Sequence, residues 1–412
     1  MPTRERKLHL LVINQFFWPD MAPTGQLLMD VTRAVEGEQS RTTAICGAPD
    51  YAASDTTSAP PVRILRSRLV RFSHHAVGRI LSYGSFLFGA VWNGFRVRKP
   101  DVIVTLTTPP LTSVLGRFLK LARGCQHFIW EMDVYPDIAI DLGVLRSDSI
   151  FTAVIGALAD WSRRNCDGII ALGDDMKARL IARGIPEHKI HVAENWADGE
   201  EITPQPFADG PLTIHYSGNL GLAHDVGTIM GAMKQLGNRP EYHFVFAGGG
   251  ARRQRVESFC SENGIANVSF RPYVTRAELS RSLGESHLGL VTQISATCGS
   301  LVPSKTYGIM AAGRPMLFIG PRDSTPARII DRFACGWRVE PGEVQSVVSI
   351  LERLAADRCA IYTAGANSRT AFEAHYDRKI GAARVAAILG LQQATPTAEA
   401  ASDLTKAIPQ SN

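Results

Sequence analysis

No two of the seven cysteines in this 412-residue chain form a CxxC pair, and none stands at the spacing of a Cys/His metal site. The set is odd in number and scattered over positions 46, 125, 166, 260, 298, 335 and 359, which excludes a disulfide framework and a structural zinc and points to a reducing compartment. No window reaches 18 uninterrupted apolar residues, so a transmembrane helix is not expected. The charged-then-apolar start does not read as a secretory signal: its apolar part, Leu8–Ile13, is short and runs into Asn14-Gln15, which suits a first β-strand. Acidic residues are missing altogether between Thr56 and Pro100, where eight basic ones stand (Arg63, Arg66, Arg68, Arg71, Arg79, Arg96, Arg98 and Lys99). That stretch carries +8 in a chain of net charge +5, so the remainder is −3 and the positive charge belongs to one region of one domain. The run Gly248-Gly249-Gly250-Ala251-Arg252-Arg253 lacks the third glycine of the dinucleotide fingerprint, which argues against a nicotinamide enzyme.

What is present is an ordinary globular composition, 45% apolar and 20% charged, at a length that implies two to three domains. The first 200 residues alternate short apolar strands with helical stretches. Leu8–Asn14 leads through a glycine-bearing loop to a helix from Gln26, the opening unit of a parallel doubly wound sheet. The strand His127–Trp130 delivers Glu131, Asp133 and Asp137 to its carboxyl end, where open α/β sheets bind ligands. Residues 201–211, with three prolines and no periodicity, have linker composition, and a second α/β alternation fills 212–370. Residues 391–412, rich in Ala, Thr, Gln and Ser, read as a disordered tail.

The second half turns on the stretch from Cys298 to Pro315. Ser304 stands at an N-cap position, Gly313 is a C-terminal stop and Pro315 prevents continuation, so a helix of about two turns is expected. The first amides, Lys305 to Tyr307, lack intrahelical partners. With the helix dipole and the Lys305 charge they offer a phosphate site. Gly308 costs about 1 kcal/mol in mid-helix and implies a close approach to the backbone. An ordinary β-α-β crossover, with Ser304 merely capping, is the alternative.

The two α/β halves, the loop Gly218-Asn219-Leu220-Gly221, the triple glycine at 248, and Pro303-Ser304-Lys305 followed by Ala311-Ala312-Gly313-Arg314-Pro315 together resemble glycosyltransferase family 4. The likeness runs from Asn14-Gln15-Phe16-Phe17-Trp18-Pro19-Asp20 to about residue 390, and is greatest to the branch that builds bacterial capsule, O-antigen or colanic-acid-type polysaccharide. It implies the GT-B fold: two Rossmann-like parallel-sheet domains facing across a cleft, with C-terminal helices over 371–390 crossing back to the first domain. It further implies a nucleotide-sugar donor held by the C-terminal half, an acceptor held by the N-terminal half, retention of configuration, and no required metal or other cofactor. Two departures stand out: the family's glutamate pair, eight positions apart, falls on Ser300 and Gly308.

On this resemblance the leaving diphosphate, which needs fixed positive potential, meets Gly25, Gly218, Asn219, Gly221, His224, Ser304, Lys305, Thr306 and Tyr307, with Arg314 more remote. His224 is otherwise a loop surface residue, and Gly25 otherwise plain turn chemistry. Pro272, Tyr273 and Val274 are the candidates for the base, where Tyr273 either stacks on it or plugs the loop. Asp133 is the first candidate to position or deprotonate the acceptor hydroxyl, with Glu131 and Asp137 as alternatives, and capping of the next turn is its bland reading. Asp174-Asp175 reads as complement to a helix dipole. The cationic stretch, with Arg63, Arg66, Arg68 and Arg71 interleaved with apolar residues, and Arg117 and Lys120 beyond it, suits either an anionic bilayer or a solvated basic face; no nucleic-acid module is recognisable. The expectation is a transferase, peripheral on the cytoplasmic membrane face, that moves a sugar from a UDP- or GDP-sugar to a polyprenyl-diphosphate-linked glycan. A nucleotide-sugar epimerase of the same fold and a non-catalytic partner in an assembly complex are the rivals.

Overall fold

The computed structural model describes residues 7–20, 22–37, 40–48, 59–67 and 76–391. The tail expected to be disordered lies outside them from residue 392 on, as do Arg68 and Arg71.

The first unit runs β1 (Leu8–Ile13), α1 (Pro23–Val35), β2 (Ser40–Cys46), β3 (Arg63–Arg66), α2 (Ala76–Arg96), β4 (Val102–Leu106), α3 (Thr112–Arg123), β5 (Gln126–Trp130), α4 (Asp137–Asp141), α5 (Ile150–Asn165), β6 (Gly168–Ala171), α6 (Asp174–Ala182) and β7 (Ile190–Val192). The second runs β8 (Leu212–Ser217), α7 (Gly227–Leu236), β9 (Tyr242–Ala247), α8 (Arg253–Glu262), β10 (Val268–Arg271), α9 (Arg276–Gly284), β11 (Leu288–Thr292), α10 (Lys305–Ala311), β12 (Met316–Ile319), α11 (Thr325–Phe333), β13 (Gly336–Val339), α12 (Val344–Ala356), α13 (Cys359–His375) and α14 (Arg378–Ile388). Every ladder is parallel, in a seven-stranded sheet ordered β3-β2-β1-β4-β5-β6-β7 and a six-stranded sheet ordered β10-β9-β8-β11-β12-β13. Central strands such as Val102–Leu106 and Met316–Ile319 are buried along their whole length. That is the signature of a parallel sheet covered on both faces.

In the first unit one face of the sheet packs Leu11, Ile13 and Ile103 against Phe86 and Ala90 of α2 and Leu115 and Leu119 of α3. The opposite face is covered by α1 and, from the far end of the chain, by Ala382, Val385 and Ala386 of α14. The last helix among the described residues therefore completes the first core and ties the two units together.

A second tie lies across the cleft. Asp175, at the start of α6, accepts from the Thr325 hydroxyl at 2.6 Å and from its amide at 3.2 Å, at the start of α11. Asp175 is thus a buried inter-domain acceptor, which corrects the expectation that it merely complements a dipole. The Val134 amide donates to the Ser300 carbonyl at 2.8 Å, and Asp133 bridges to Leu301. Gly299 follows from the same seam: its φ is +75°, and a Cβ there would lie 2.6 Å from the Asp175 carbonyl.

Candidate active site

The elements that follow β1, β7, β8, β10 and β11 enclose a cavity of about 400 Å³ between the two units. Helix α1 turns one stripe toward it: Pro23, Gln26, Leu27, Asp30 and Arg33, spaced by threes and fours as one face of a helix requires. Asn195 and Trp196 line it from the crossing between units, and Ser217, Gly218, Asn219, Ser304, Lys305 and Gly308 line it from the second unit.

Lys305 is a cation of the wall that the second unit supplies. Its ammonium donates to the Asn219 carbonyl at 3.2 Å and stands 4.9 Å from the centre of the Tyr216 ring. The Tyr216 hydroxyl donates to the same carbonyl at 2.7 Å, so one loop oxygen and one ring face aim the amine. Among the described residues no carboxylate pairs with it, and burial lowers its pKa to about 8. An ammonium has three N–H donors, so an anion can take those the protein leaves open. Gly218 is required where it stands: its φ is +115°, and a Cβ would meet the Lys305 Cε at 3.2 Å.

His224 touches this cluster without being a second cation. Its Nδ1 lies 2.8 Å from the Thr292 carbonyl, and its ring meets Tyr216 edge-on at 5.5 Å. Burial first, and then the Lys305 charge, depress its pKa to about 3, so it is a neutral ring that orients the wall.

Across the cavity Asp30 accepts from Trp196 Nε1 at 2.9 Å, and burial raises its pKa. In the sequence an amphipathic helix already accounts for this residue. The signal was a polar stripe, Gln26, Asp30 and Arg33, recurring every three or four residues on a helix that follows the first strand.

Residues 25–196 match the family described as a glycosyl transferase 4-like domain, and residues 198–372 match the glycosyl transferases group 1. The chain belongs to these glycosyltransferases. Among similar proteins, the probable glycosyltransferase WbjE of Pseudomonas aeruginosa is 26% identical over 77% of this chain and 82% of its own length. The putative colanic acid biosynthesis glycosyl transferase WcaI of Escherichia coli is 24% identical over 66% of this chain and 70% of its own. Among solved structures, sucrose-phosphate synthase of Thermosynechococcus elongatus superposes with a TM-score of 0.75 at 14% identity, over 93% of this chain and 98% of that one. Anabaena HepE, solved in complex with UDP-glucose, gives 0.69 at 14% identity over 93% and 100%. These likenesses place the glycosyltransferase on the GT-B fold.

Several expected site residues hold other posts in this glycosyltransferase. Ser304 has helical angles, φ −69° and ψ −18°, and its hydroxyl makes no cap bond. The Tyr307 amide donates to the Ser304 carbonyl at 3.3 Å, so at most two amides of α10 remain for an anion. The Tyr307 and Thr306 side chains are buried, with Tyr307 against Tyr376, and neither reaches the cavity. Gly25 is packed on the Phe16 carbonyl, and its amide donates to Ala22. Gly221 lies beside the Asn219 side chain, and neither it nor Gly25 lines the cavity.

Glu131 is excluded as a catalytic carboxylate: it is buried and accepts from Arg163 at 2.6 and 3.3 Å. Asp137 is likewise committed, to Arg183 and Arg179. Asp133 keeps its carboxylate free of an ion pair among the described residues, and burial, with the Glu131 charge behind it, raises its pKa to about 6. It sits at the seam beside Leu301 and is not part of the cavity wall. Arg314 is no phosphate ligand: it is buried over Phe207 at 3.9 Å and donates to the carbonyls of Gln205, Pro206 and Gly284. Tyr273 is exposed, with its ring 3.0 Å from where a Gly249 Cβ would stand; Pro272 is exposed and Val274 half-buried beside it, all three outside the cavity wall. Among the described residues no group of three or more His, Cys, Asp or Glu side chains is arranged to hold a metal.

Proposed function

We propose that the chain is a retaining, metal-independent glycosyltransferase of cell-surface polysaccharide biosynthesis, moving a sugar from a UDP- or GDP-sugar to a glycan carried on a polyprenyl diphosphate. Lys305 carries the reading. Sugar transfer from a nucleoside diphosphate develops negative charge on the departing diphosphate, and a preorganised cation in a partly dry cleft stabilises that charge where it forms. The Lys305 ammonium is aimed, desolvated and unanswered by any described carboxylate at the wall between the two units. The loop Gly218–Asn219 brings backbone to the same place. Asp133, left without an ion pair among the described residues, is the group we assign to the acceptor hydroxyl, and the name of WcaI supports the pathway class.

The positions of the family's glutamate pair, 300 and 308, carry a serine and a glycine in this chain. Ser300 is buried and its hydroxyl donates to the Thr297 carbonyl at 3.1 Å, so that position belongs to the seam. The test is thermal: a panel of UDP- and GDP-sugars is added to the protein and to Lys305→Ala. A cognate donor raises the melting temperature of the unaltered chain by mass action and not that of the variant. No stabilisation by any nucleotide sugar, or equal stabilisation of both proteins, overturns the reading.

A further inference from the structure

The outer surface of α2, α3 and α5 is the least expected feature of a water-facing helix layer. Phe88 and Trp92 of α2 are 67% and 61% exposed, Phe118 of α3 58%, and Ile150 and Phe151 of α5 84% and 64%. The three helices form one continuous layer. Arg123 of α3 donates to the Phe95 and Val97 carbonyls at the end of α2, and Phe118 packs on Trp161 of α5 at 5.8 Å. Exposed apolar area of this extent marks an interaction surface.

Its charge identifies the partner. Helices α2 and α3 contain no acidic residue, and the one in α5, Asp160, is buried against Arg163 and Arg183. Arg96, Arg98 and Lys99 are exposed where α2 ends, and Arg117 lies over Trp161 at 5.7 Å. Between Lys99 and Arg117 opens a recess of about 510 Å³. One carboxylate, Asp101, lines it beside Lys99, Arg117 and Lys120 and accepts from the His9 amide, while Asp167 pairs with Lys120 and the His127 amide. A second copy of the chain would set this cationic edge against an identical one with no exposed carboxylate on the three helices to answer it.

We propose that the α2–α3–α5 face lies on an anionic phospholipid bilayer, its aromatic side chains in the interface and the Lys99–Arg117 recess over lipid phosphates. Among the described residues no helix is long and apolar enough to cross a membrane, so the contact is an in-plane one of the kind that aromatic belts and basic side chains make together. The surface differs from the one the sequence suggested. Arg66 is spent on the Trp18 and Gly47 carbonyls and Lys120 on Asp167, while α5 was not expected to take part.

The test is co-sedimentation of the full chain with phosphatidylcholine vesicles that contain or lack phosphatidylglycerol. Binding to the anionic vesicles only is expected. The triple variant Arg96→Glu, Arg98→Glu, Lys99→Glu should lower partitioning about tenfold or more, at about 1 kcal/mol per charge near the surface. Trp92→Ser with Phe151→Ser should lower it while leaving the melting temperature and the stabilisation by a nucleotide sugar unchanged. In the unaltered protein, lipid-borne quenchers should dim a tryptophan signal that Trp92→Phe removes, a readout that needs no destabilised variant. Equal binding to both vesicle types, unquenched Trp92, or a dimer in solution that the same variants dissociate overturns the proposal. Each leaves the donor site untouched, so failure here is distinguishable from failure of the transferase reading.

Discussion

Lys305 and Asn219 meet at the cavity wall of the second unit, the ammonium 3.2 Å from the backbone carbonyl that also accepts from Tyr216. The contact holds a cation in place without neutralising it, which is the condition for a charge that must act on a ligand. Lys305→Ala should therefore reduce donor turnover by about a hundredfold or more, the scale of losing one preorganised donor to a developing anion. It should not lower the melting temperature of the free protein, because a desolvated cation is a cost to the fold. Turnover and calorimetry on the same preparation check both halves.

The same amine sets a pH limit. Its pKa is lowered to about 8, so the ammonium is held below that value and lost as pH rises through it. Affinity for a nucleoside diphosphate should decline above about pH 8 in the unaltered enzyme and show no such decline in Lys305→Ala. Titration calorimetry at three or four pH values decides it. A flat profile in the unaltered protein removes Lys305 from the diphosphate site.

Asp133 gives the opposite sign. Its carboxyl is raised from 3.8 to about 6 by burial and by Glu131, so the folded state binds the proton more readily than the unfolded one. The associated stability is present below pH 3.8 and lost as pH rises through 6. Asp133→Asn should then stabilise the protein at pH 7 by about 1–2 kcal/mol while abolishing transfer to an acceptor and sparing donor binding. Thermal melts at pH 4.5 and 7, together with a transfer assay at pH 7, separate this from a capping role, in which the substitution leaves transfer intact.

Much of this was legible in the chain because the strands are nearly pure apolar runs. Val102–Leu106 and Met316–Ile319 read as central strands of a parallel sheet, and the glycine loops after Leu212–Ser217 and Tyr242–Ala247 carried the fold. Lys305 was legible for the same reason, as a lone basic residue opening a short helix after the strand and loop. The seam was not. Nothing local distinguishes Asp175, which holds Thr325 150 positions away, from an acid that complements a dipole. Nor does Glu131 announce that Arg163 will take it: both carboxylates follow a strand, and only the packing of α5 assigns one to an ion pair and leaves the other open. The stripe on α1 was readable in principle, but a polar residue every third or fourth position is also what any solvated helix shows.

Arg314 follows the motif glycine and so suggests a ligand contact, yet its guanidinium closes the linker. Arg314→Lys should cost about 3 kcal/mol, since an ammonium cannot reproduce a planar fork that serves three carbonyls and stacks on a ring. The Michaelis constant for donor should stay unchanged in the fraction that remains folded. Urea melts with parallel kinetics test this, and a shifted Michaelis constant at unaltered stability would return Arg314 to the donor site.

Gly308 separates the two reasons a helix keeps a glycine. No neighbour crowds it: the nearest atoms a Cβ would meet are Leu283 Cδ1 at 3.8 Å and Ile202 Cδ1 at 3.9 Å, ordinary contacts, and the residue lines the cavity. Internal packing therefore does not demand glycine here. Gly308→Ala should stabilise the free protein by about 0.5–1 kcal/mol through helix propensity. If donor lies against this backbone, the added methyl raises the Michaelis constant several-fold even as the melting temperature climbs. A rise in stability with unaltered donor kinetics would show that the open space over Gly308 is not where the nucleotide sugar sits.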